Sequence, residues 1–160
     1  LFEKGHLPAI DIGTSVSRVG GKAQLPAFRA VAGSLRLMYA QFEEVESFAR
    51  FGTQLDDETR RKLTRGRRVR AVLTQREHDR FPVPEQIAVL LAATEGLLDD
   101  VSPDAVPGAE DRLRRAMREA LPELSADIAA GAELTREARE TLLATLRKAL
   151  ASEDGADGDA

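Results

Sequence analysis

Residue types that build many functional sites are scarce or missing in this chain of 160 residues. It contains no cysteine, which excludes disulfides, thiolate metal sites and a cysteine nucleophile. Its two histidines, His6 and His78, are far apart in the sequence, so the pattern predicts no metal site. The longest apolar run, residues 87–93, is far shorter than the ~20 residues that a membrane span requires.

Charge and glycine spacing weaken the case for two classes of binding site. The net charge is -4, so no overall positive field favours nucleic acid. A phosphate-binding loop has the pattern G-x-x-x-x-G-K-[ST]. Here Gly21 and Lys22 are followed by Ala23, and Val16 occupies the first glycine position. The chain as given therefore has no loop of this type for a nucleoside triphosphate.

The composition that remains favours helices. Leu, Ala, Glu and Arg are abundant, and they are good helix formers. We predict a mainly α fold, with a helical bundle over residues 24–151 and a disordered acidic tail over residues 152–160. The first long helix, ending at Gly52, should bury one stripe with alternating steps of three and four. Its members are Phe28, Val31, Leu35, Met38, Phe42, Val45 and Ala49.

Capping and breaking residues predict where the later helices begin and end. Asp56 is typical of an N-cap, and Gly66 is predicted to stop that second helix, with a short helix following over 67–75. Pro107-Gly108 predicts another break, and Thr135 is predicted to cap the last helix. Pro82 and Pro84 should open a helix that buries one face, formed by Ile87, Leu90, Leu91, Thr94, Leu97 and Leu98.

The segment before the bundle, residues 1–23, has few helical signals. Ile10 and Ile12 alternate with a polar residue, which predicts one short strand followed by a loop. A strand this short needs other strands beside it. Because the chain starts at Leu1 rather than Met, we expect a longer polypeptide whose upstream part supplies that sheet and a phosphate-binding loop.

The predicted loop carries an arginine between glycines. Gly13, Gly20 and Gly21 bracket Arg18 and allow sharp turns. A guanidinium held there presents a fork of donors that suits phosphate oxygens. The spacing alone leaves a second interpretation open, in which Arg18 lies on an ordinary surface turn.

A basic cluster follows Asp56. Nucleic-acid binding is one interpretation, but no aromatic residue is interleaved for base stacking and acidic residues lie alongside. The pattern favours a solvated or subunit-facing helix surface and no nucleic-acid partner. The cluster consists of Arg60, Arg61, Lys62, Arg65, Arg67, Arg68 and Arg70.

Four sets of residues, in order along the first half of the chain, resemble the alpha subunit of F-type ATP synthases just before and within its C-terminal helical domain. The first set is Ser15-Val16-Ser17-Arg18-Val19-Gly20-Gly21 with Ala23-Gln24, and Pro8-Ala9-Ile10 lies upstream of it. The others are Ala40-Gln41 with 48–52, Leu55-Asp56, and Arg65-Gly66 with Leu73 and Gln75. The variants at 7–11 and 21–26 are similar to the alternate, sodium-type branch of these ATPases.

The resemblance implies the C-terminal part of a rotary ATPase alpha subunit, in which a helical bundle follows the last strand and loop of a nucleotide-binding domain. It implies that Arg18 reaches the catalytic nucleotide of the neighbouring beta subunit. The implied partners are beta subunits and a central rotor stalk of the gamma type. The implied complex couples ATP synthesis or hydrolysis to proton or sodium transport, with the fragment alone inactive.

The same resemblance implies a location and a second nucleotide site. The complex would lie at the cytoplasmic face of the bacterial plasma membrane, attached through other subunits. ATP or ADP with Mg²⁺ would be held by beta and by the full-length alpha subunit. In alpha's own site the family has an Arg-Pro pair and two glutamines, which here read Leu7-Pro8, Gln75 and Glu77. The two departures, Leu7 and Glu77, predict weak nucleotide binding there.

An interpretation from another class is a stand-alone helical protein-protein interaction module without a catalytic role. The sequence upstream of Leu1 would distinguish the two. The coupling ion and the direction of the reaction are not encoded in this segment.

Overall fold

The computed structural model describes residues 18–49, 55–74 and 80–152. Within these ranges the chain forms α-helices and one 3₁₀ turn, Pro103–Ala105, and no strand, as the predicted mainly α fold requires. The strand predicted near Ile10 and the acidic tail after Ser152 lie outside the described residues. The helices are α1 (Arg18–Ala23), α2 (Pro26–Ala49), α3 (Asp57–Leu73), α4 (Val83–Thr94), α5 (Val106–Ala120), α6 (Pro122–Ala129) and α7 (Arg136–Ala151).

Helix α4 lies at the centre of the bundle and packs against α2, α3, α5, α6 and α7. The sequence predicted that one face of this helix would be buried, and that prediction was too narrow. Every residue from Ile87 to Ala93 is buried, because the helix carries no charged residue after Glu85 and is apolar on all sides. Glu85 is itself 5% exposed, and its Oε1 accepts a hydrogen bond of 3.0 Å from Arg118 Nη1.

Helix α2 confirms the predicted apolar stripe. Val31, Leu35 and Phe42 are buried, while Phe28, Met38, Val45 and Ala49 are partly buried against the same core. The structure adds Tyr39, which is 5% exposed. Gly33 does not break the helix, and its exposed position has open space around it.

Helix α3 corrects the prediction that Gly66 ends a helix. Asp57–Leu73 is one continuous helix, and Gly66 lies buried inside it. The glycine is needed for packing, since a Cβ atom there would lie 2.0 Å from Phe42 Cγ. The cap at its start was predicted correctly, because Asp56 Oδ1 accepts a hydrogen bond of 2.7 Å from the Thr59 N–H.

The start of α5 corrects a second prediction. Pro107 and Gly108 do not break the chain; they lie in the first turn of Val106–Ala120. A proline is tolerated there because the first N–H groups of a helix have no partner inside the helix. The predicted cap on α7 is confirmed, since Thr135 Oγ1 accepts from the Ala138 N–H at 3.2 Å.

Candidate functional site

Arg18, the predicted catalytic residue, is the first residue of α1, and its side chain lies outside what the structure describes. The sequence predicted a loop here, and for residues 18–23 the structure has a six-residue helix instead. The hydrogen bond from the Gln24 N–H to the Gly20 carbonyl, 3.2 Å long, closes its last turn. Lys22 lies in that turn, where a cation is favourable beside the helix carboxyl end.

A two-residue linker, Gln24 and Leu25, connects α1 to α2 of the bundle. The Arg29 N–H donates to the Leu25 carbonyl at 3.0 Å, and Arg29 Nη2 donates to the Gln24 carbonyl at 3.1 Å. Ala27, two residues past the linker, is fully buried in the core. Arg18 therefore lies only nine residues before Ala27, which belongs to the packed part of α2.

The other predicted site residues, Pro8, Gln75 and Glu77, lie outside the described residues. The assignment of Arg18 to a neighbouring catalytic site, and of the other three to alpha's own nucleotide site, therefore stays a prediction. The structure does describe the two ends of the chain that flank 75–79, which are Thr74 at the C-cap of α3 and Arg80 shortly before α4.

A cluster that the sequence did not predict surrounds Phe81, beside the second of these ends. The Arg114 guanidinium carbon lies 3.8 Å from the centre of the Phe81 ring, a cation–π geometry. Arg114 also pairs with Glu110, and both side chains are largely buried. The Phe81 carbonyl accepts from Gln86 Nε2 at 2.7 Å, which fixes the entry into α4.

The cavity beside Phe81 has a volume of about 220 Å³. Ligand pockets start at about 300 Å³, so the described walls by themselves are too small for a nucleotide. Arg114 Nε is buried without a hydrogen-bond partner among the described residues. The lining residues are Ala71, Val72, Thr74, Phe81, Pro103, Val106, Pro107, Glu110, Asp111 and Arg114.

A second unpredicted cluster holds the carboxyl half of α3 against α2. Arg70 Nε donates to Tyr39 Oη at 3.0 Å, and Nη1 and Nη2 donate to the two Glu46 carboxylate oxygens at 3.0 and 2.8 Å. The guanidinium also lies over the Phe42 ring, 4.7 Å from its centre. Hydrogen bonding to Glu46 raises the pKa of Arg70, although partial burial opposes this. Thr74 Oγ1 donates to the Arg70 carbonyl, so the end of α3 is part of the same arrangement.

The members of the basic cluster on α3 have different partners within the chain. Arg65 Nη2 pairs with Asp99 Oδ2 at 2.8 Å, and Arg68 Nε donates to the Leu98 carbonyl. Lys62 pairs with Glu58 within the helix, which raises the pKa of Lys62. Several of these cations therefore make contacts within the chain. The basic surface of α3 that is left for solvent or another subunit is smaller than the sequence suggested.

None of the helices within the described ranges is both long and apolar enough to cross a membrane. In the same ranges, no three His, Cys, Asp or Glu residues come together as a candidate metal site.

Comparison with known proteins assigns the family. The family model described as ATP synthase alpha/beta chain, C terminal domain, matches residues 24–149. The chain is 56% identical over 153 residues to ATP synthase subunit alpha 2 of Syntrophus aciditrophicus, covering 96% of this chain and 30% of that protein. It is 52% identical over 161 residues to ATP synthase subunit alpha 1 of Dinoroseobacter shibae, covering 99% of this chain and 31% of that protein.

The chain therefore belongs to the family of ATP synthase alpha/beta C-terminal domains and corresponds to the C-terminal region of an F-type alpha subunit. It spans less than a third of the length of these relatives. The resemblance stated from residues 7–75 is confirmed at this level.

Proposed function

We propose that this segment supplies Arg18 to the catalytic nucleotide of a neighbouring beta subunit, as part of an alpha subunit in an F-type ATP synthase. The observation that supports the proposal is the position of Arg18 at the start of α1. That helix is followed after Gln24 and Leu25 by α2 of the bundle, whose Arg29 side chain donates to the Gln24 carbonyl, and the family of the bundle is assigned. A donor on such a support reaches a phosphate without a large loss of conformational freedom.

The chemical role of Arg18 in this proposal is electrostatic. Negative charge redistributes over the oxygens of the transferred phosphoryl group, and a preplaced guanidinium stabilises it without solvent reorganisation. The described residues hold no cluster suited to Mg²⁺. The proposal assigns Mg²⁺ with ATP or ADP to beta and to the remainder of alpha, and Arg18 contributes only its charge and its fork of donors.

The bundle would act as a frame between beta subunits and around a central rotor stalk of the gamma type. Leu37 and Phe48 support contact with another chain, since they are 65% and 71% exposed on α2. They are 11 residues apart, which is close to three helical turns, so both lie on the same face. The complex would couple ATP synthesis or hydrolysis to proton or sodium transport at the cytoplasmic face of the bacterial plasma membrane, attached peripherally through other subunits.

The test uses purified complexes that carry Arg18→Ala or Arg18→Lys in the full-length subunit. Arginine fingers are worth roughly 10³ to 10⁵ in rate, so we expect ATP hydrolysis to fall by about 100-fold or more. Lysine keeps the charge but loses the fork, so it should rescue little. Lys22→Ala, an exposed cation on the same helix, is the matched control and should keep normal turnover.

Native mass spectrometry must show intact assembly in every variant. Near-normal turnover in an intact Arg18→Ala complex would return Arg18 to the interpretation as an ordinary surface residue. An equal loss in the Lys22→Ala complex would indicate a structural effect of α1 rather than a role for the guanidinium.

A further inference from the structure

A groove of about 250 Å³ lies between α2 and α3 on the outside of the bundle. Its apolar floor consists of Phe42, which is buried, and Met38, which is half-buried. Its rim is polar and mostly basic, and comes mainly from α3. The lining residues are Met38, Gln41, Phe42, Glu58, Arg61, Lys62 and Arg65.

The cations on the rim differ in how they are neutralised. Lys62 pairs with Glu58 at 2.7 Å, and Arg65 pairs with Asp99 at 2.8 Å. Arg61 is exposed and has no carboxylate partner among the described residues. The groove therefore keeps a net positive charge beside an apolar floor, in a chain whose overall charge is -4.

The size of the groove decides what kind of occupant it fits. At about 250 Å³ it lies below the ~300 Å³ at which pockets for small organic ligands begin. The groove is suited to an apolar side chain that projects from another protein. The apolar surface continues outside the groove, because Leu37 lies one turn before Gln41 on α2 and is 65% exposed.

We propose that the α2–α3 groove is a docking site for an acidic amphipathic helix of another protein chain in the assembled complex. Such a helix would place an apolar residue over Met38 and Phe42 and a carboxylate beside Arg61, which is the helix-in-groove mode of recognition. Nucleic acid fits the groove less well, because the floor is apolar and the Glu58 carboxylate lies on the rim. The inference rests on the proposed assembly with other subunits, but not on the role of Arg18.

The experiment places a cysteine-directed photo-cross-linker in the groove of the assembled complex. Gln41→Cys gives an exposed attachment point on the rim, and the 160 residues contain no native cysteine to compete. Any reactive cysteines elsewhere in the complex are first replaced. Ala144→Cys, exposed on α7, serves as the control position. Mass spectrometry of the cross-linked peptides identifies what occupies the groove.

We expect Gln41→Cys, and not Ala144→Cys, to cross-link a segment of another chain with carboxylates beside apolar residues at helical spacing. Arg61→Glu should lower the yield about fivefold, since reversing a rim charge weakens association. Arg67→Glu reverses another exposed charge on α3 that does not line the groove, and the yield should be unchanged.

The proposal is overturned if Gln41→Cys cross-links no more than Ala144→Cys does. It is also overturned if the product is nucleic acid, a second copy of this chain, or a segment without carboxylates. Equal losses with Arg61→Glu and Arg67→Glu would overturn it as well. Native mass spectrometry of the same samples reports assembly, so failure of the groove and failure of the proposed complex are distinguished.

Discussion

The contact between Gly66 of α3 and Phe42 of α2 allows a direct test of the fold. A Cβ atom at Gly66 would lie 2.0 Å from Phe42 Cγ and Cδ2 and 2.7 Å from Phe42 Cβ. Rotation of the ring about χ1 leaves the Phe42 Cβ in place, so the clash can be relieved only by moving the helices apart. Because Phe42 is 1% exposed, that movement would disturb packing in the core.

The expected magnitude follows from two opposing effects. Replacing a helical glycine by alanine stabilises by about 0.5–1 kcal/mol through backbone entropy. Overpacking a filled core costs about 1–3 kcal/mol. Gly33→Ala isolates the first effect, since a Cβ there meets nothing within 4 Å. We therefore expect Gly33→Ala to stabilise the chain and Gly66→Ala to have an unfolding free energy about 1–3 kcal/mol below that of Gly33→Ala.

Urea unfolding of the 160-residue chain, followed by far-UV circular dichroism, measures this difference. With a denaturant slope of about 2 kcal/mol per molar, the two midpoints should differ by about 0.5–1.5 M. In a double-mutant cycle, Phe42→Ala should remove the part of the cost of Gly66→Ala that comes from the ring atoms at 2.0 Å, while the contact of 2.7 Å with the Cβ atom, which alanine keeps, should remain. Equal stabilisation by both alanine substitutions would refute the close packing of α2 against α3.

Three further predictions concern other parts of the chain. The backbone N–H that Asp56 caps lowers the pKa of this carboxyl group. The contribution of the Asp56 cap to stability is therefore present above the unfolded pKa and lost as pH falls through the folded pKa, so the urea midpoints of wild type and Asp56→Ala should converge as the pH falls below the ordinary pKa of an aspartate. Arg70→Lys should cost about 1–2 kcal/mol in the same assay, because lysine cannot reproduce the fork, whereas the exposed Arg67→Lys should be neutral. Leu7→Arg with Glu77→Gln should increase the nucleotide retained by the full complex through gel filtration, and tight retention by the unmodified complex would contradict this.

Local signals in the sequence predicted the starts of two helices, α3 and α7, correctly. Asp56 and Thr135 could be recognised as caps because a capping side chain acts on a backbone N–H only three residues ahead. The apolar stripe on α2 could be predicted for a similar reason, because it depends only on the spacing of apolar residues in neighbouring turns of one helix.

The two errors had different causes, since one arose from a distant residue and the other from a local signal that fits a helix start as well as a break. A glycine such as Gly66 often marks the end of a helix. Here it lies inside α3 because Phe42, 24 residues earlier, occupies the space that a side chain at position 66 would need. Pro107-Gly108 has the local character of a break, yet both residues fit the first turn of α5. The cluster of Arg70, Tyr39 and Glu46 joins residues 24 to 31 positions apart, a pairing that no local pattern encodes.

The two clusters that the sequence did not predict lie on either side of residues 75–79, the segment that contains the predicted site residues Gln75 and Glu77. Thr74 precedes residues 75–79 and is bonded to the Arg70 carbonyl, while the Arg70 side chain is fixed to α2. On the other side of the segment, Phe81 lies under the Arg114 guanidinium, which is fixed by Glu110. Each arginine has its charge matched by a carboxylate, so both flanks are held by ordinary ion pairs within the bundle.

It follows that the described residues on either side of 75–79, Thr74 and Phe81, are held by contacts within the chain. If nucleotide binding in alpha's own site is weak, the cause should therefore be the chemistry of Leu7 and Glu77 rather than a missing scaffold. A hydrophobic side chain cannot donate the hydrogen bonds of an arginine, and a carboxylate repels an anionic ligand. The two restoring substitutions should then suffice without any change in α3, α4 or α5, and a need for changes in those helices would refute this reasoning.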